Sequence, residues 1–260
     1  MIELSNTVLG SLLVILITSA LLLIVHKNST NVIPGLKVSN RDPTFIIAGP
    51  SGSGKTSLFN MLTTDTFKPT LMSQSPNIAE DYMLPSTSKS FKFKLMEFPG
   101  HVKLRYRLFE ALKESTHLKG LLFVVDSTVD PQKLTETAEL LYEILMLTER
   151  FPDGVDILIA CNKSESFSSR PPLKIKTALE KEISKIIERK AKSLSAVHKN
   201  DGVSDGNDTE EDVHPNSLEI QGGHQFTFDA LDGNVTASAG SVLKCQVDKW
   251  ECWIDEKSVN

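Results

Sequence analysis

The sequence predicts an α/β domain on a mostly parallel sheet, preceded by one N-terminal transmembrane helix. Three observations lead there. Short continuous apolar runs alternate with stretches of helical periodicity. A glycine-rich octapeptide lies between the first apolar run of the soluble part and the first helical stretch. The chain also opens on a long segment without charge, from Leu4 to Val25.

As a helix, Leu4–Val25 would be about 33 Å long, enough to cross a hydrocarbon core of about 30 Å with its backbone satisfied internally. A cleaved signal peptide would need a basic leader and a small-residue cleavage site. Only Glu3 precedes the segment as a charge, and no clear A-x-A follows. His26, Lys27, Lys37 and Arg41 come next, so the positive-inside rule places the bulk of the chain in the cytosol. Residues 26–42, polar with Pro and Gly, read as a juxtamembrane linker.

Residues 43–260 carry the soluble domain. Thr44–Ala48, Gly120–Asp126 and Asp156–Cys161 are short and continuously apolar, as strands buried on both faces of a parallel sheet should be. Phe91–Glu97 alternates instead and predicts a half-exposed strand near an edge. Helical spacing appears at Ser57–Thr63, at Leu134, Ala138, Leu141, Ile144 and Leu145, and at Leu179, Ile183, Ile186 and Leu194. Strand and helix in turn imply crossover helices on both sheet faces. Residues 198–223, acidic and poor in apolar side chains, are expected to form a disordered insertion.

Composition narrows the function. The 260 residues are 40% hydrophobic and 23% charged, which excludes a disordered tail or a disulfide-stapled mini-protein. The net charge is −5, and the stretch from His198 to Ser217 accounts for all of it with six acids against Lys199. No basic excess remains elsewhere, so direct nucleic-acid binding is not expected. Cys161, Cys245 and Cys252 are an odd number without metal-ligand spacing, which suits a reducing compartment.

Gly49-Pro50-Ser51-Gly52-Ser53-Gly54-Lys55-Thr56 matches G-x-x-x-x-G-K-[ST] in full, between a strand and a helix. Glycines let successive backbone N–H groups curl around a phosphate, and the following helix adds its dipole. Lys55 supplies charge to the β- and γ-phosphates, and Thr56 offers a hydroxyl to Mg²⁺. The fold is therefore that of a P-loop NTPase.

Two further motifs point to guanine and to a switch. Asn162-Lys163-Ser164-Glu165 follows the Asp156–Cys161 strand and resembles the N-K-x-D motif of Ras-like GTPases, with Glu in the last place. A carboxylate at Glu165 accepts from the N1–H and 2-amino group of guanine, and N1 of adenine would repel it. Glu97-Phe98-Pro99-Gly100-His101 resembles the D-x-x-G switch, again with Glu for Asp. There Glu97 would hold Mg²⁺ through a water, and the Gly100 N–H would meet the γ-phosphate. His101 falls where many relatives carry a Gln that orients the attacking water, and a surface histidine beside a Pro-Gly turn explains it equally well. Thr70 and Ser73 both qualify as the first-switch hydroxyl.

With these residues in place, the chain resembles the family of signal recognition particle receptor β-subunits, membrane-anchored GTPases close to the Arf/Sar group. The matching stretches are Glu97–Leu112, Leu121–Leu134, Leu158–Glu165, Arg170–Ile183 and Lys249–Glu256. The resemblance implies a small-GTPase-like domain that binds GTP and Mg²⁺ and hydrolyses GTP slowly if at all. It implies a heterodimer with the receptor α-subunit at the endoplasmic reticulum, the GTPase domain facing the cytosol, with the ribosome or translocon as further partners. Gly49–Ser57 would bind phosphates and Mg²⁺, Ser73 is favoured over Thr70 as a metal ligand, and Asn162, Lys163 and Glu165 would read guanine. Ser241, in Ala239-Gly240-Ser241, stands where relatives have their last base-contacting loop. The rival reading is a guanylate-type nucleotide kinase, whose phosphate loop GPSGSGKTS also resembles. A kinase needs Arg-rich lid segments, yet between Gly100 and Pro171 the arginines are Arg105, Arg107, Arg150 and Arg170 alone. A scaffold that lost its nucleotide would have little reason to keep Lys55 and Thr56.

Overall fold

Four runs of largely apolar residues pair side by side because each must bury both faces and satisfy its backbone at once. A computed structural model describes residues 18–19, 43–83, 92–200 and 225–259. It divides the chain into Met1–Ser39 and Asn40–Asn260. In the first unit Thr18 and Ser19 are helical and exposed. The rest of the span expected at residues 4–25, and nearly all of the linker, lie outside the described residues. Among the described residues no helix is long and apolar enough to cross a membrane.

The second unit runs β1 (Thr44–Ala48), α1 (Lys55–Thr64), β2 (Asn77–Tyr82), β3 (Phe93–Glu97), α2 (Arg105–Glu114), β4 (Leu118–Asp126), α3 (Thr135–Thr148), β5 (Ile157–Asn162), α4 (Pro172–Asn200), β6 (Val235–Ala239) and α5 (Asp248–Val259). The six strands order as β2-β3-β1-β4-β5-β6. Only β2 is antiparallel to its neighbour. Side chains alternate across the sheet. Phe45, Ile47, Phe93, Leu95, Leu122, Val124, Leu158 and Ala160 thus meet Leu58 and Phe59 of α1 and Trp250, Trp253 and Ile254 of α5 in one core.

One expectation changes. The strand expected at Phe91–Glu97 is not half-exposed: β3 is buried along its whole length, and β2 takes the edge with an exposed pattern. The alternation misleads because a lysine stem is amphipathic, and Lys94 is buried here. Helix α4 continues through Asn200, into the first residues of the segment 198–223 that is expected to be a disordered insertion. The remainder of 198–223 lies outside the described residues.

Candidate functional site

Parallel strands deliver their carboxyl ends to one edge, and the loops that leave that edge build a cavity of about 430 Å³. Ser51, Gly52, Gly54, Lys55, Thr56, Ser57, Ser73, Glu97, Gly100 and Lys163 are among the residues that line it. Phosphate loop, both switch candidates and the first residue after Asn162 therefore share one space.

The loop itself depends on two close approaches. Gly54 has φ +95°, and a Cβ there would meet the Asn162 Nδ2 at 2.2 Å. Gly100 has its Cα pressed against the phosphate loop, where a Cβ would fall 2.6 Å from both the Pro50 carbonyl carbon and the Ser51 nitrogen. Only glycine fits either place. At Gly100 the second switch thus meets the phosphate loop backbone to backbone.

Lys55 is buried, and its Nζ donates to the Pro50 carbonyl at 2.8 Å. Burial brings its pKa down to about 8, against the pull of Glu97 and with help from the Arg105 charge. The ammonium is held at the loop mouth with little solvent to compete for it.

Strand period two places Glu97 on the same face as Phe93 and Leu95, hence over the first turn of α1. There Thr56 Oγ1 lies 3.0 Å from Ser73 Oγ and donates to Glu97 Oε1 at 3.2 Å. Adjacent ligands of an octahedral magnesium ion, at about 2.1 Å from the metal, stand about 3 Å apart, so the two hydroxyl oxygens have a fitting spacing, with Glu97 beside them to accept from a metal-bound water. One carboxylate and two hydroxyls are hard donors, and a magnesium site completes its shell with water and phosphate oxygens. Among the described residues no cluster of three or more His, Cys, Asp or Glu offers another metal site. Burial raises the Glu97 pKa, while the Asn77 hydrogen bond, the Lys55 charge and the Thr56 and Ser73 hydroxyls oppose the shift. Thr70 instead bonds Ser57 Oγ at 3.0 Å, away from Glu97.

Asn162 ends β5 and is buried. Its Nδ2 donates to the Ser53 carbonyl at 2.8 Å, and its Oδ1 accepts from Val242 N at 3.1 Å. Lys163, with φ +64°, pairs with the Asp126 carboxylate. Burial would raise the Asp126 pKa, but hydrogen bonds from Lys163 and Thr128 outweigh it and hold the carboxyl below its usual range.

The remaining candidates sit apart. Glu165 is exposed and is not part of the cavity lining. Ser241 is buried, with its Oγ accepting from Lys244 N at 3.1 Å, so its hydroxyl is used within its own turn. That turn is tied to the Asn162 loop, because Gly240 N donates to Cys161 O and Ser164 N to Gly240 O. His101 is exposed, and its Nδ1 accepts from Lys103 N at 3.2 Å, capping a short 3₁₀ turn. Sequence reasoning missed Asn77 and Asp126. Asp126 is paired with Asn162 across the ladder, a strand-end position that the motif could have suggested. Asn77 belongs to no motif.

Comparison with known proteins follows the same line. The model of one protein family, described as signal recognition particle receptor beta subunit, matches residues 40–235. The chain is 48% identical to signal recognition particle receptor subunit beta of Saccharomyces cerevisiae, over 98% of this chain and 99% of that protein. Two solved structures from Chaetomium thermophilum superpose at 25% identity over 83% of this chain. They are the SRb-GTP/SRX complex, TM-score 0.61 over 98% of that chain, and SRb-GDP-Mg, TM-score 0.62 over 97%. Against these similarities the kinase reading has no support.

Proposed function

Since this chain belongs to the family of signal recognition particle receptor beta subunits, which are small GTPases, we propose that it binds magnesium-GTP in the described cavity and, so loaded, binds the receptor alpha subunit. Backbone N–H groups of Gly49–Ser57 wrap the phosphates while Lys55 neutralises them. Thr56 and Ser73 offer hydroxyls to Mg²⁺, Glu97 holds it through a water, and the Gly100 N–H meets the γ-phosphate. Asn162 fixes the loop, and Lys163 and Glu165 address the guanine, with the Ser241 turn closing that end. His101 has Nδ1 engaged in its cap, so only Nε2 is open to orient a water, in keeping with slow hydrolysis.

One observation carries this reading: a threonine, a serine and a glutamate from three separate segments meet within 3.2 Å beside a buried lysine. The Chaetomium relatives are described with GTP, GDP and Mg, and one with SRX, which supports both nucleotide and partner. Residues 4–25 would anchor the chain in the endoplasmic reticulum membrane as a single span, GTPase domain in the cytosol, near ribosome and translocon.

The full-length chain in detergent, loaded in turn with Mg-GTP analogue, Mg-GDP or no nucleotide, tests the proposal. The alpha subunit's N-terminal domain should be retained in the triphosphate state alone. Equal retention in all three states would overturn it. Membranes carrying the chain should keep it through alkaline extraction; release into the supernatant would remove the span.

A further inference from the structure

Asn77 opens β2 directly opposite Glu97, the last residue of β3. Its Nδ2 donates to Glu97 Oε2 at 2.6 Å and reaches Ser73 Oγ at 3.3 Å. Glu97 is fully buried, and its other oxygen, Oε1, takes the Thr56 hydroxyl. A carboxylate accepts but cannot donate when ionised, so the amide nitrogen must be the atom that faces it. Glutamate carries one methylene and one torsion more than the aspartate of the usual switch motif. A longer stem in a site built for a short one needs something to fix where its carboxylate stops.

We infer that Asn77 is a positioning residue for the magnesium ion, clamping the long Glu97 carboxylate by Oε2 so that Oε1 and the Ser73 hydroxyl face the metal together. This rests on the magnesium-GTP reading above. The clamp also spans the two switch segments, since one amide holds a group from each. Groups that orient metal-binding side chains typically change metal affinity by about 10- to 100-fold when removed.

The test follows release of a fluorescent, non-hydrolysable guanosine triphosphate analogue from the full-length chain in detergent as Mg²⁺ is titrated. Asn77→Ala should raise the Mg²⁺ concentration needed to slow release by about tenfold or more. Release in excess chelator should match wild type. Mn²⁺ bound in place of Mg²⁺ should show a broadened paramagnetic resonance spectrum, reporting a less uniform site. In a Glu97→Asp background the same Asn77→Ala change should shift the Mg²⁺ requirement less than about twofold, because a shorter carboxylate no longer reaches the amide. Asn77→Thr keeps a strand-forming residue in β2 without the reach to Oε2 and should reproduce the alanine shift. An unchanged Mg²⁺ requirement in both variants, with a Mg²⁺-dependent wild type, overturns the clamp alone. Faster release in chelator as well overturns it too, since the residue would then be supporting the pocket rather than the ion. A wild-type chain indifferent to Mg²⁺ overturns both this inference and the reading it rests on.

Discussion

The phosphate end of the cavity and the loops proposed to meet the base are built on different principles. At the phosphate end Lys55, Glu97 and Asn162 are all buried, and each already has a partner before any ligand is considered. In the loops proposed to meet the base, Lys163 is half-buried, Glu165 is exposed outside the cavity lining, and Ser241 spends its hydroxyl inside its own turn. Highly charged phosphates gain most from groups that water cannot reach and that need no reordering. A planar base gains its specificity from one or two edge contacts, which a rim can supply. Affinity should thus be concentrated at one end and choice at the other.

Lys55→Ala attacks the first half of that contrast and should have the largest effect, a loss of about 100-fold or more in GTP affinity measured by calorimetry. An effect under tenfold would mean that the loop backbone does the binding without the ammonium. Asn162→Ala comes next. It orphans the Ser53 carbonyl and the Val242 N–H together and should lower stability by about 2–4 kcal/mol in denaturant unfolding, with faster nucleotide release. Retained stability would show that the loops are tied elsewhere.

Glu165→Asn probes the rim. It should move preference from guanine towards xanthine by about tenfold while leaving total triphosphate affinity within a few-fold, as competition binding would read. If guanine preference is untouched, base choice resides deeper in the site. The smallest effect is expected from Asp126→Asn. The Asp126 carboxyl titrates below its unfolded value of about 4, so its stabilisation is present above that pH and is lost as pH falls through the lower folded value. Thermal unfolding should therefore separate wild type and variant by about 1 kcal/mol or less at neutral pH and converge in acid. A gap that persists in strong acid would assign the effect to shape rather than charge.

How much of this was legible in the sequence follows from how far apart the interacting residues lie. The phosphate loop announces itself because its work is done by consecutive backbone groups, and Lys55, Thr56 and Gly54 occupy fixed places in it. Strands β1, β4 and β5 were visible for a similar reason, each being a local run of side chains that must all be buried. Asn77 was not visible, because its meaning comes from the residue across the ladder, 20 positions on. The pairing of Asp126 with Lys163, 37 positions apart, was hidden in the same way. The β3 reading failed through a single lysine, as Lys94 supplied a polar letter in a strand that buries it. Ser73 over Thr70 rested on resemblance alone, and the structure brings Ser73, not Thr70, beside Thr56.

The Asn162 amide has an implication for the order in which the molecule comes into being. It joins Ser53 to Val242, two segments far apart in the sequence with Asn162 between them. Translation delivers these segments at widely separated moments, so the pocket cannot be finished while its last wall is still unmade. A nascent chain would display a phosphate loop without its latch, and firm capture of nucleotide would await the Val242 segment rather than follow directly on the loop.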